Sequence, residues 1–163
     1  MIVRVFGLVL AAGLSASPLV AGAPEDLVER GAYLAKIMDC QGCHMPRAAD
    51  GALVAEAGLS GGTVGFELPG LGIFWPPNIT PSAAGIGDWS DDDVLTAIRS
   101  GMRPDGRALV PVMPWPSYAE MTDDDAEALV AYLRAQPAVD TPAPGPVASS
   151  DEAKAPFYRV TLP

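Results

Sequence analysis

Cys40-Gln41-Gly42-Cys43-His44 stands out first, because it holds the only two cysteines and the only histidine among 163 residues. C-x-x-C-H is the spacing of covalent haem attachment. Two thiols must each add to one vinyl group on adjacent edges of a planar macrocycle, and the next residue must turn its imidazole beneath the iron. Gln41 and Gly42 permit that tight arch, and Gly42 removes a Cβ where backbone and porphyrin come close. Other readings use the same residues. Structural zinc needs four ligands and would have to recruit a carboxylate here. A thioredoxin-type pair should open a helix after a strand, whereas this one follows a helical pattern. A disulfide across two residues closes too small a loop to add much stability. A chance match on a surface loop is the last rival.

His44 being the sole histidine excludes bis-histidine ligation within the chain and a second histidine acting as general base. The sixth iron position then falls to methionine, water or a less common donor. Met38 and Met45 lie too near the pentad to reach around the ring, and Met102, Met113 and Met121 remain. Met102 follows Gly101 in a helix-ending turn, and Met121 precedes a helix cap as an apolar staple. Met113 stands in Pro111-Val112-Met113-Pro114-Trp115-Pro116. Its prolines predict a stiff, extended loop, which suits a weak thioether donor because little ordering entropy remains to be offset. Met113 is therefore the expected distal ligand, with an open or otherwise ligated position as the alternative.

Residues 1–23 read as a secretory leader. Arg4 supplies the positive start, Val5 to Leu14 the apolar run, and Val20 to Ala23 the small residues, with cleavage expected after Gly22 or Ala23. The run is short of the ~20 residues a membrane span requires. Loss of the leader leaves 9 Lys+Arg against 20 Asp+Glu, a polypeptide of about −11. Such a surface repels nucleic acid and anionic lipid and favours a partner with a basic docking face. Membrane contact is expected only through a partner.

Three helices are legible. Residues 24–39 carry Leu27, Gly31, Leu34 and Met38 on one face, and a glycine there calls for a closely crossing neighbour. Residues 122–135 supply it, with Thr122 and Asp125 approximating a capping box before the stripe Ala126, Leu129, Val130 and Leu133. A middle helix over 90–100 starts at Ser90, fills its first turn with Asp91 to Asp93 and stops at Gly101. Between His44 and Ser90 no periodicity shows. Val54, Leu59, Leu68, Leu71, Ile73, Phe74 and Trp75 are the candidates for lining a porphyrin face there. Residues 140–163 form a Pro/Ala-rich extended tail ending in the apolar Phe157 to Leu162, with three readings open: packed back on the domain at 24–139, docked on a partner, or frayed as a terminus.

This order of elements resembles the class I cytochrome c family, over about residues 25–139. Asn78-Ile79-Thr80-Pro81, Gly85 to Ser90, Met113 to Tyr118 and Ala131-Tyr132-Leu133 are similar, more narrowly, to cytochrome subunits of bacterial dehydrogenases acting on alcohols, sugar acids, aldehydes or N-heterocycles. The resemblance implies an all-α fold around one haem c, with Cys40 and Cys43 as thioether anchors, His44 proximal and Met113 distal. It implies that Trp89 hydrogen-bonds a propionate, that Asn78 and Thr80 face one, and that Gly31 and Tyr132 mark the helix crossing. The implied function is a periplasmic monohaem electron carrier between a dehydrogenase and a cytochrome or oxidase, rather than a catalytic subunit. A haem enzyme or gas sensor with an open sixth position is the competing expectation. Two features depart from the resemblance: the chain has one pentad where those subunits commonly carry three domains, and Ser82 replaces a usual acidic residue.

Overall fold

The computed structural model describes residues 24–161. The leader assigned to residues 1–23 lies outside them. The first helix, α1 (Glu25–Ile37), has Glu25 and Asp26 against its N-terminal dipole and buries Gly31, Leu34 and Ala35. The last, α5 (Asp123–Ala135), is capped by Thr122, whose Oγ1 accepts from Asp125 N at 3.2 Å, and buries Ala126, Ala128, Leu129, Val130 and Leu133. They cross at Gly31. A Cβ built there would lie 2.0 Å from Ala128 O and 2.6 Å from Tyr132 Cβ, so no side chain fits and the backbones touch directly. Arg30 Nε reaches Asp125 Oδ1 at 2.8 Å beside the crossing.

The middle helix, α3 (Asp91–Ser100), begins with a reciprocal cap: Asp93 N donates to Ser90 Oγ at 3.1 Å and Ser90 N to Asp93 Oδ2 at 2.9 Å. Gly101 ends it at φ 67°. Val94, Ala97 and Ile98 join the core, which also holds Leu34, Ala35, Leu59, Ile86, Leu129, Val130 and Leu133. Two short helices complete the set: α2 (Cys40–His44), and α4 (Trp115–Tyr118), where the proline loop turns into one helical turn after Pro114. Pro116 sits in that first turn, where no amide hydrogen is needed. Among the described residues no helix is long and apolar enough to cross a membrane.

The all-α expectation needs correcting, because the Gly/Pro-rich stretch contains a hairpin. Strands β1 (Gly65–Leu68) and β2 (Gly72–Phe74) pair antiparallel, Phe66 opposite Phe74 and Glu67 opposite Ile73. The tail closes both edges. Ile73 and Val147 exchange amide bonds of 2.9 and 3.0 Å along β2, and β3 (Phe157–Tyr158) lies parallel to β1. Arg159 pairs with Glu67 across that second edge. Capping both edges of a two-stranded ribbon removes the free ladder groups that would invite pairing with another chain. Of the three expectations for the tail, packing back on the domain holds for Val147 and Phe157–Tyr158, while Val160 stays 83% exposed. A parallel partner so far along the chain leaves no local periodicity to read.

Gly31→Ala should cost about 3 kcal/mol through overpacking at the crossing, measured as a lowered denaturant midpoint. An unchanged midpoint would mean that the helices part freely.

Candidate haem site

The pentad is presented by a sharp reversal after α1. Asp39 takes a left-handed conformation (φ 55°), the one non-glycine residue among those described to do so, and its carboxylate accepts from Gly42 N at 3.2 Å. A Cβ on Gly42 would meet Asp39 Oδ2 at 2.1 Å. The glycine is therefore required by the cap that starts α2, rather than by approach to a porphyrin alone. Arg47, which sequence reasoning missed, donates to Gly42 O at 2.9 Å and Gly51 O at 3.0 Å and so pins the arch from outside.

Cys40 and Cys43 are free thiols on one turn of helix. Burial pushes Cys40 up to about 11 and Cys43 upward too, with the Asp39 charge adding to both. Among the described residues no cluster of three metal-ligating side chains exists. His44 is buried, and its Nδ1 lies 2.8 Å from Pro77 O. A carbonyl only accepts, so Nδ1 carries the proton and Nε2 keeps its lone pair for a metal. This is the outer-sphere arrangement that orients a ligating histidine. Burial also holds the imidazole below its ordinary value, against the raising effect of the Pro77 bond, so it stays neutral as a ligand must.

On the distal side Met113 is half-buried and packs on the same core cluster as Cys40, Ile79 and Tyr118. Met102 is 41% exposed and bridges to Ala108, while Met121 is half-buried on the core with its amide bonded to Tyr118 O at 3.1 Å. Tyr118 Oη donates to Met38 O at 3.2 Å, tying the methionine loop to the end of α1. Trp115 Nε1, two residues from Met113, is the one buried side-chain donor or acceptor without a partner among the described residues. An indole N–H buried without an acceptor costs about 1–3 kcal/mol, so an acceptor brought by a bound group belongs beside it. The thiols, the lone pair on His44 and this orphan donor fit a covalent haem.

The other named residues divide. Trp89 is half-buried on the core with the Arg103 guanidinium 5.0 Å from its ring centre, which puts a cation beside the expected propionate donor. Asn78 and Thr80 are buried and otherwise employed. Asn78 Nδ2 donates to Val139 O (2.7 Å) and Thr141 O (3.0 Å), and its Oδ1 accepts from Thr80 N and Oγ1 at 2.8 and 2.7 Å. Ser82 joins them, donating to Val139 O at 2.9 Å. Among the lining candidates Leu59 belongs to the main core, whereas Ile73 and Trp75 are buried under the tail and Leu71 is exposed. Arg134, also unforeseen, fastens the turn before α3 to α5 by bonds to Ile86 O, Trp89 O and Asp91 Oδ1.

Fold and site together bring two thiols and one buried imidazole onto a single helical turn at the edge of a three-helix core. The chain belongs to the cytochrome c family, whose profile matches residues 28–137. It is 41% identical over 112 residues to the gluconate 2-dehydrogenase cytochrome c subunit of Pantoea cypripedii, covering 68% of this chain and 23% of that one. It is 36% identical over 112 residues to the cytochrome c subunit of the quinone-type alcohol dehydrogenase of Gluconobacter oxydans, 68% of this chain and 22% of the relative. The fructose dehydrogenase cytochrome subunit of Gluconobacter japonicus is 36% identical over 129 residues, 78% of this chain and 25% of its own length. The chain thus spans about a quarter of the length of these curated relatives. Family membership supports a covalently bound haem c and a part in electron transfer.

Because burial lowers His44 from its ordinary value near 6.5, its contribution is present above that value and is lost as pH falls through the depressed one. In the haem-free chain, titration of the His44 imidazole followed by NMR should therefore give a midpoint below the ordinary imidazole value. A midpoint at or above that value would contradict the burial.

Proposed function

We propose that this chain is a periplasmic monohaem carrier that takes electrons from a dehydrogenase and passes them to a cytochrome or oxidase. The observation that carries the reading is the buried His44, directly behind two thiols, with Nδ1 committed to Pro77 O and Nε2 left for iron. One haem follows from one pentad in the sequence. Cys40 and Cys43 would anchor it, His44 would ligate one face and Met113 the other, with Trp89 the donor to a propionate. The bound group supplies a one-electron couple whose potential answers to ligand identity and burial.

The chain's own residues keep that couple rigid. The core on α1, α3 and α5 excludes water, Pro77 fixes the imidazole plane, and the prolines around Met113 hold the thioether loop without much entropy to offset. With Met113 as the second ligand no place would remain for substrate at iron, and transfer would be outer-sphere. Support for a dehydrogenase donor is the naming of the relatives. The polypeptide carries 20 acidic against 10 basic residues, and Asp91 to Asp93 and Asp123 to Asp125 occupy the first turns of α3 and α5. A donor with a basic face suits that surface, and transfer between them should slow as salt rises.

Protein exported from a haem-maturing host should keep its colour on the chain after denaturation, and carbon monoxide should not bind the reduced form. Met113→Ala should open the iron to that gas. Ready binding by the unaltered protein would favour the gas-binding or enzymatic reading instead, and colourless protein would end both.

A further inference from the structure

The tail is tied to one segment with unusual economy, and that segment is the one that aims the proximal histidine. Pro76 and Pro77 have no amide hydrogen to donate, and the carbonyl that faces His44 Nδ1 lies between two backbone bonds to the 59–62 segment, Gly62 N to Pro76 O at 2.9 Å and Ile79 N to Leu59 O at 3.0 Å. It is held from its flanks, and the tail supplies much of the holding. Ile73 is bonded in both directions to Val147. Trp75 Nε1 donates to Pro156 O at 3.0 Å. Asn78 donates to Val139 O and Thr141 O. All three residues are buried, at 0%, 6% and 3% exposure. It then passes the pentad itself: Tyr158 lies 5.7 Å from the Phe66 ring, and both line a groove with Cys43, Arg47 and Gly62.

We propose that residues 139–159 are a strap that positions His44 through the Pro77 carbonyl, and so sets the electronic character of the proximal ligand. The inference rests on the haem reading above. Pro142, Pro144 and Pro146 suit the role, since their restricted φ lowers the entropy lost when the strap docks. Asn78, Thr80 and Ser82 are then the fastening of the strap's near end, and Trp75 and the Glu67–Arg159 pair the fastening of its far end. An imidazole that donates well to a carbonyl is a more electron-rich ligand and favours ferric iron. Loosening the strap should weaken that donation and raise the reduction potential.

The test uses full-length, haem-loaded protein carrying Trp75→Phe, Arg159→Ala or both, with Arg30→Ala at the α1–α5 crossing as a control remote from the strap. Three quantities are read: protease cleavage within 140–156, exchange of the His44 ring N–H by NMR in the reduced state, and midpoint potential. Cleavage and His44 exchange should rise together, by about tenfold in the double variant as local opening becomes easier. The potential should move upward, and Arg30→Ala should leave all three unchanged. The strap is refuted if cleavage rises while His44 exchange and potential stay put. It is refuted equally if neither substitution loosens the tail, or if the His44 N–H already exchanges freely in the unaltered protein. Failure of haem to remain on the chain would instead count against the underlying haem assignment.

Discussion

Between the imidazole of His44 and the carbonyl of Pro77 runs a 2.8 Å hydrogen bond on which two halves of the structure converge. One half is the path α1, Asp39, α2, which delivers the histidine. The other is the hairpin and its continuation, which delivers the acceptor 33 residues later. Neither half has meaning alone: a buried imidazole without a partner on Nδ1 would be free to rotate or switch tautomer, and its metal-binding nitrogen would not be defined. The left-handed Asp39 and the Gly42 that clears its carboxylate place the ring. Gly61, whose amide donates to His44 O at 2.8 Å, links the two halves at the backbone.

Around that bond the protein is built by close approach rather than bulk. The α1–α5 crossing depends on a missing Cβ at Gly31, and Gly101 leaves room for the Trp115 ring, whose nearest atom is 2.5 Å from where a Cβ would stand. Such contacts have little tolerance, because a packed interior cannot absorb a methyl group without moving backbone. Rigidity of this kind suits a carrier that must exchange an electron without rearranging. The arginines act in the same sense. Arg47 and Arg134 each bond two or more groups around the pentad and the α3 turn, and Arg30 bridges the crossing. Arg47 and Arg134 hold backbone carbonyls, whereas Arg30, Arg99 and Arg159 pair with carboxylates.

Local patterns were the readable part. The caps at Ser90 and Thr122, the glycine stop after α3 and the apolar stripes of α1 and α5 each act within one or two turns, so their physics is contained in neighbouring residues. The pentad was legible for the same reason, since its five residues make the whole of α2. Gly31 went further, because a glycine on an apolar face implies a partner helix even though it does not name it. Asn78 and Thr80 were visible as a polar pair, but their family role pointed toward a propionate while the structure joins them to Val139 and Thr141, some 60 residues on.

The sequence alone determined that this chain carries two thiols and one imidazole in haem-binding order among three helices, two of them capped by a side chain, because covalent spacing and helix signals are local. Tertiary structure alone decided which carbonyl holds that imidazole, that Met113 and Met121 pack on the core while Met102 stays exposed, and that the tail closes both edges of an unforeseen hairpin. Those outcomes depend on pairing segments far apart along the chain, where each partner offers only generic backbone groups until folding brings the other to it.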